Sequence, residues 1–187
     1  MTIAVTGKIR SGKTTVSEYI ANKLNTKSYD FSDALKEVVN IAYPHTKGIK
    51  DRALLQTVGQ HMRKLDEDVW VNAILDNQEF QKRKHKVITG LRQPNEYKAL
   101  VNNDYFIIKV TTNEEDRIKR ALNSGDKMTL DNLSHETEMY IDEFDYDFLV
   151  ENNGNLFELY SKLDKIIDFL KENENTVIKN HPLGVRI

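Results

Sequence analysis

Gly7-Lys8-Ile9-Arg10-Ser11-Gly12-Lys13-Thr14 decides how the rest of this sequence is read. The two glycines, the lysine after the second and the threonine after that fill every required position of a phosphate-binding loop, or P-loop. Thr2 to Thr6 is a short β-prone run, and Thr15 to Leu24 carries Val16, Ile20 and Leu24 at helical spacing. In a strand, glycine-rich turn and helix, glycine lets the backbone wrap close to an anion, so that successive N–H groups and the positive helix end face phosphate. Lys13 is then expected to reach the β and γ phosphates of a nucleoside triphosphate, ATP in the first instance. Thr14 offers its hydroxyl to Mg²⁺, and Gly7, Lys8, Arg10, Ser11, Gly12 and Thr15 complete the donor site. A chance glycine-rich turn is the competing reading, and both flanking elements argue against it.

The bulk properties leave room for such a site and exclude several others. With 187 residues the chain suits one α/β domain and is short for two. Its net charge of -2 offers no global field to recruit nucleic acid or an acidic membrane, so any polyanion site is local. The sequence has no cysteine, which removes disulfides, thiolate zinc sites and a cysteine nucleophile, and agrees with a cytoplasmic setting. No stretch approaches the roughly 20 apolar residues of a membrane-spanning helix, and the apolar start is too short for a secretory signal. A soluble protein binding small-molecule nucleotides is expected, without nucleic-acid or membrane partners; a homodimer is compatible with the sequence.

Working outward from the loop, Ser28 to Phe31 reads as a second strand, with Ser32 or Asp33 capping a helix that carries Leu35, Val38 and Val39. Residues 51 to 83 read as helix twice over. Lys86 to Thr89, Tyr105 to Val110 and Phe148 to Glu151 read as further strands, and Asn95 to Val101, Glu114 to Leu122 and Leu156 to Leu170 as helices. Strands alternating with helices predict a parallel sheet covered on both faces, the three-layer α/β/α class. A single domain over 1–171 is expected, with a helical insertion at about 33–83, a lid region at about 114–140 and a polar, loosely held tail over 172–187. His135, Glu136 and Glu138 lack a partner histidine at ligand spacing and read as an acidic helix start rather than a metal cluster.

Several blocks beyond the loop resemble the P-loop nucleoside monophosphate kinase group, and most closely the deoxynucleoside monophosphate kinases carried by bacteriophages. The likeness runs from Thr2 to about Leu170. It rests on the loop, on Tyr29-Asp30-Phe31-Ser32-Asp33-Ala34-Leu35-Lys36, on Leu54-Leu55-Gln56-Thr57-Val58-Gly59 with Arg63, and on Asp68-Val69-Trp70-Val71. It continues in Gly90-Leu91-Arg92-Gln93-Pro94-Asn95-Glu96, in His135-Glu136-Thr137-Glu138 and in Asn152-Asn153-Gly154. The resemblance implies phosphoryl transfer from ATP·Mg²⁺ to a nucleoside monophosphate, with a deoxynucleotide expected. Arg63 and Arg92 would hold the acceptor phosphate, a role suited to the bidentate guanidinium fork. Phe31, Asp33 and Trp70 would surround the acceptor base and sugar, and Arg117 with Arg120 would swing over the triphosphate when a lid closes.

Each assignment has a structural competitor. Arg92 also reads as a surface salt bridge to Glu96, Trp70 as core, Lys36 as a solvated lysine, and Arg117 with Arg120 as part of a charged helix beside Glu114 and Asp116. One departure stands out. The family's strand near position 90 ends in an aspartate that supports Mg²⁺, and here that position is Gly90. Asp30 or Asp33, at the end of the second strand, could supply that carboxylate; Gly90→Asp is expected to raise turnover, and an unchanged rate with full Mg²⁺ dependence would show that another group already fills the role. Transfer to another small phosphorylated metabolite, such as a coenzyme precursor, and nucleotide binding without transfer are the rival readings.

Overall fold

The computed structural model describes residues 1–48, 51–123, 139–173 and 184–186. Its strands are β1 (Thr2–Thr6), β2 (Ser28–Asp30), β3 (Lys86–Leu91), β4 (Phe106–Thr111), β5 (Phe148–Glu151) and β6 (Val185–Arg186). They form one sheet in the order β2-β3-β1-β4-β5-β6, and every adjacent pair is parallel. The helices are α1 (Lys13–Lys23), α2 (Ser32–Ala42), α3 (Arg52–Leu65), α4 (Val69–Leu75), α5 (Gln78–Gln81), α6 (Pro94–Asn102), α7 (Glu114–Asn123) and α8 (Leu156–Glu172). Short 3₁₀ turns lie at Pro44–Thr46 and Tyr140–Asp142.

Because side chains alternate along a strand, β1 sends Ile3 and Val5 to one face and Ala4 to the other. Ile3 and Val5 join α1 and α8 in a core that includes Val16, Ile20, Leu159, Leu163 and Ile166. Ala4, Ile88, Leu91 and Ile107 pack on the opposite face against Val71, Ile74, Phe80 and Leu100, drawn from α4, α5 and α6. The sheet is therefore buried on both sides, and the three-layer P-loop NTPase architecture follows. Helices α2, α3 and α4 build a further cluster of their own around Leu35, Val39 and Trp70, packed with Leu54, Leu55, Val58 and Met62.

β3 and β4 flank β1 and depart in opposite directions along the sheet, which makes the carboxyl end of β1 the switch point where open α/β sheets bind ligands. The P-loop starts there. The ladder between β1 and β3 is irregular at this end: Val5 pairs with Thr89, but Thr6 pairs with Leu91, so Gly90 is an extra residue in β3. Gly90 has φ 80, a left-handed conformation that glycine takes without the cost of a Cβ. Thr6 Oγ1 donates to the Leu91 carbonyl at 2.9 Å and closes the irregular step.

The sheet corrects the expected tail at one place. Val185 and Arg186 pair with Phe148 and Leu149 as an edge strand, and the Val185 amide donates to the Asp147 carbonyl at 2.8 Å. The pattern missed it because a two-residue strand has no period to detect. The region 51–83 holds three helices rather than two. Asp66 caps the carboxyl end of α3, and its side chain accepts from the Asp68 amide as α4 begins. The central part of the expected lid, with His135, Glu136 and Glu138, lies outside the described residues. Among the described residues, no helix is long and apolar enough to cross a membrane.

Candidate functional site

The loop from Gly7 to Gly12 presents main-chain amides at the mouth of α1. Gly12 is the N-cap of α1 at φ 99, and no side chain caps the helix nor does an acidic residue sit in its first turn. The first-turn N–H groups of Lys13, Thr14 and Thr15 therefore have no intrahelical acceptor. Arg10 also lies in the left-handed region, at φ 64. Left-handed residues at 10 and 12, separated by one residue, curl the chain into the concave nest of amides that binds anions. Gly7 is required by space: a Cβ there would lie 2.5 Å from the Val110 carbonyl oxygen of β4 and from Ser11 Oγ.

Contacts from distant parts of the chain fix the outer side of the loop. Arg117 Nε donates to the Ile9 carbonyl at 3.0 Å. Arg120 donates from Nη1 to the Arg10 and Ser11 carbonyls, both at 3.4 Å, and from Nη2 to the Asn152 carbonyl at 2.9 Å. Asn152 Nδ2 reaches the Ser11 carbonyl at 2.8 Å, and Thr112 Oγ1 bonds the same oxygen at 3.0 Å. In a trans peptide the carbonyl and the next N–H point in opposite directions. Holding the carbonyls of Arg10's neighbours toward α7 turns the Arg10 and Gly12 amides the other way, into the concavity. Arg117 and Arg120, expected to swing over the triphosphate, here direct guanidinium donors to the loop's backbone. Arg120→Ala is expected to weaken ATP binding about tenfold, the effect of losing charge-assisted hydrogen bonds of roughly 1.5 kcal/mol. Arg120→Lys should not restore it, because one ammonium cannot span both the loop and Asn152. Calorimetric titration with ATP checks both.

Lys13 is buried, with Nζ 3.4 Å from the Lys8 carbonyl across the loop. Lys8 forms an ion pair with Asp142 at 2.5 Å, and Lys109 Nζ donates to the Asp142 carbonyl at 3.1 Å. Burial pushes the Lys109 ammonium below the usual lysine range. Ser11 Oγ is buried with no hydrogen-bond partner, an orphan that a ligand in the loop would satisfy. Uncapped helix, nest and orphan hydroxyl fit a polyphosphate.

Thr14 is exposed and lines a groove of about 660 Å³ between α1 and the β2–α2 connection, together with Asp30, Asp33, Lys36 and Thr89. Asp30 Oδ1 accepts from the Ser32 amide at 2.8 Å and from Ser32 Oγ at 2.6 Å. Asp33 Oδ2 accepts from the Asp30 amide at 3.0 Å, and its Oδ1 pairs with Lys36 at 3.0 Å. Among the described residues, no cluster of three or more acidic or histidine side chains could hold a metal alone. A threonine hydroxyl, one carboxylate and the unpartnered Thr89 hydroxyl do suit Mg²⁺, a hard ion that keeps waters and takes further oxygens from nucleotide phosphates.

The expected acceptor side divides. The Arg63 side chain and the Arg92 main chain meet at Glu96, a buried carboxylate in α6. Its Oε2 accepts from the main-chain amides of Arg92 and Gln93 at 2.9 and 3.0 Å, and its Oε1 lies 3.5 Å from Arg63 Nη2. Desolvation pushes the Glu96 carboxyl above the ordinary glutamate range, against the lowering effect of those amides and of Arg63. Register places Arg92 next to the loop, because Leu91 pairs with Thr6 and Gly7 follows Thr6. Phe31 and Trp70 stand in the cores, the alternative reading given above for Trp70. Both are 3% exposed and line the cores, Phe31 beneath the sheet and Trp70 among α2, α3 and α4, where its Nε1 donates to the Gly59 carbonyl at 3.3 Å. Their large apolar area is worth more in a core than at a solvated cleft.

Residues that the motif does not name complete the site: Thr112, Asn152 and Glu96. Asn152 carries a sequence signal only as part of the Asn152-Asn153-Gly154 turn after β5. Glu96 sits three residues after Gln93 and ahead of apolar helix positions, which is the spacing of a capping box, and the box is present.

Comparison with known proteins agrees with this architecture. No curated protein matches the sequence. Among solved structures, the shikimate kinase from Acinetobacter baumannii in complex with shikimate is similar at 16% identity, covering 94% of this chain and 95% of that one, with a TM-score of 0.61. A gluconokinase from Sinorhizobium meliloti is 17% identical over 95% and 97% of the two chains, with a TM-score of 0.58. TT1252 from Thermus thermophilus is 21% identical over 91% and 97%, also at 0.58. At these identities the likeness carries the P-loop fold and no more. The profile of a family described as AAA domain matches residues 3–140, a span that includes β1, the loop, α1, the groove, Arg63 and Arg92, and the chain belongs to that family.

Proposed function

We propose that this protein is an ATP-dependent phosphotransferase whose acceptor is a nucleoside monophosphate, with a deoxynucleotide expected. One observation carries the reading: Arg92 follows Leu91, the β3 residue paired with Thr6 just before the loop, and Glu96 accepts from the Arg92 main-chain amide while facing Arg63. Arginines at these two positions suit an anionic acceptor. The fold shared with a shikimate kinase and a gluconokinase supports phosphoryl transfer to a small molecule.

In this scheme the loop amides and Lys13 hold the donor phosphates, and Arg117 and Arg120 keep the loop in shape from behind. Arg92 and Arg63 orient the acceptor in line. Its phosphate is already ionised at neutral pH, so positioning matters more than a strong base. Thr14 and Asp30 are the residues that would hold Mg²⁺, which would supply positive charge against the charge that develops on the transferring group.

A second reading, transfer to another small phosphorylated metabolite, is favoured by one observation: the two aromatic rings expected to flank a base are in the core, and the groove is lined by polar side chains. A panel of ribo- and deoxynucleoside monophosphates and non-nucleotide phosphates, assayed with labelled ATP, separates the two. Labelled nucleoside diphosphate is the expected product. Product from a non-nucleotide alone would move the assignment to the second reading, and ATP binding with no product from any acceptor would defeat both.

A further inference from the structure

We propose that Asp30 is the metal-side carboxylate of this site, filling the place that an aspartate at position 90 holds in similar kinases. The inference rests on the Mg²⁺-nucleotide reading above and adds which side chain serves it. Asp30 ends β2, and its register partner in β3 is Thr89, the residue before Gly90. A Cβ built on Gly90 would lie 2.6 Å from Asp30 Oδ1, 2.9 Å from its Cγ and 3.0 Å from Oδ2. The carboxylate thus occupies the space from which a side chain at 90 would start. The extra residue in β3 provides that space, because a left-handed glycine adds length to the strand without adding a side chain.

Asp30 is held for a task rather than neutralised. Its Oδ1 is fixed by the amide and hydroxyl of Ser32, while Oδ2 accepts no hydrogen bond among the described residues. Of the two lysines that line the groove, Lys36 pairs with Asp33 and Lys27 lies over the Tyr29 ring at 5.0 Å. A second, independent feature points to the same ligand. Thr89, 5% exposed, lines the groove with a buried Oγ1 that has no partner. Thr14 is on the facing wall. Hydroxyl and carboxylate oxygens with one uncompensated negative charge suit a hard divalent cation that takes its remaining ligands from phosphate and water.

The test uses Mn²⁺ as the probe, read by the loss of its free electron-resonance signal, on the full chain with a non-hydrolysable ATP analogue. Asp30→Asn keeps an acceptor oxygen for Ser32, so the turn survives. Its Mn²⁺ affinity in the nucleotide complex is expected to fall about 10- to 100-fold. Analogue binding in EDTA should stay at the wild-type level, and Asp33→Asn should retain wild-type Mn²⁺ affinity. Wild-type Mn²⁺ affinity in Asp30→Asn, or an equal loss in Asp33→Asn, overturns the assignment to Asp30 while leaving the nucleotide site intact. A wild-type protein that binds no analogue with or without Mn²⁺ overturns the functional reading and this inference with it.

Discussion

Lys13→Ala is expected to abolish phosphoryl transfer and to weaken ATP binding about 100-fold, the loss of one desolvated ammonium–phosphate interaction of roughly 3 kcal/mol. The side chain is only 9% exposed, and its Nζ stays within the loop at 3.4 Å from the Lys8 carbonyl, a long and weak bond to exchange for phosphate oxygens. Charge on the transferring group grows as the transition state forms, so an ammonium aimed at it stabilises that state more than bound ATP, and the effect on transfer should exceed the effect on binding. The variant should fold, because removing a buried ammonium removes a desolvation cost along with the contact. Lys13→Arg should remain inactive, since a planar fork does not fit where a compact ammonium is enclosed. Titration calorimetry with ATP and a labelled-ATP assay read the two effects separately. Near-normal transfer by Lys13→Ala would remove the loop from the mechanism.

Gly90→Asp is expected to unfold at a temperature lower by roughly 5–15 °C and to lose activity. This reverses what the missing aspartate suggests when the sequence is compared with similar kinases. Left-handed backbone costs a side-chain-bearing residue roughly 1–2 kcal/mol, and Gly90 has φ 80. The new Cβ would meet the Asp30 carboxylate at 2.6 Å, which forces Asp30 out of its Ser32 turn or opens the β1–β3 ladder, for about 1–3 kcal/mol more. Two carboxylates would also share one small space, and each opposes ionisation of the other. For a chain of this size each kcal/mol shifts the midpoint by roughly 2–4 °C. Differential scanning calorimetry of Gly90→Asp and Gly90→Ala tests the argument, with the alanine variant destabilised less because it adds no charge. A stable Gly90→Asp protein with raised turnover would show that the aspartate is missing from this site and that Asp30 does not replace it.

Much of the site was visible before any coordinate. The P-loop pattern names Gly7, Gly12, Lys13 and Thr14, and each stands where the pattern requires. Arg63 and Arg92 were found as a pair, but their connection was not: Glu96 reads in sequence as a partner for the Arg92 side chain, whereas it caps the Arg92 and Gln93 amides and faces Arg63 from α6. The core positions of Phe31 and Trp70 are not legible in the sequence, because an aromatic residue there has the same signature whether it faces a cleft or a core. Arg117 and Arg120 were placed on one helical face correctly, yet the partners of that face are carbonyls more than a hundred residues earlier, Ile9 at a separation of 108 and Arg10 at 110.

The sequence by itself determined the strand, loop and helix that make an anion site, the three-layer class and the residue types that can meet phosphate, because these depend on local periodicity and on glycine and lysine at fixed spacing. Tertiary structure decided which carboxylate fills the space beside Gly90, which arginines brace the loop and which one faces Glu96. Those outcomes depend on strand register and on one inserted residue in β3, and neither leaves a mark on the pattern of a single segment. Gly90 shows the difference: along the chain it is a missing aspartate, and in the sheet it is the residue without a side chain that gives Asp30 its place.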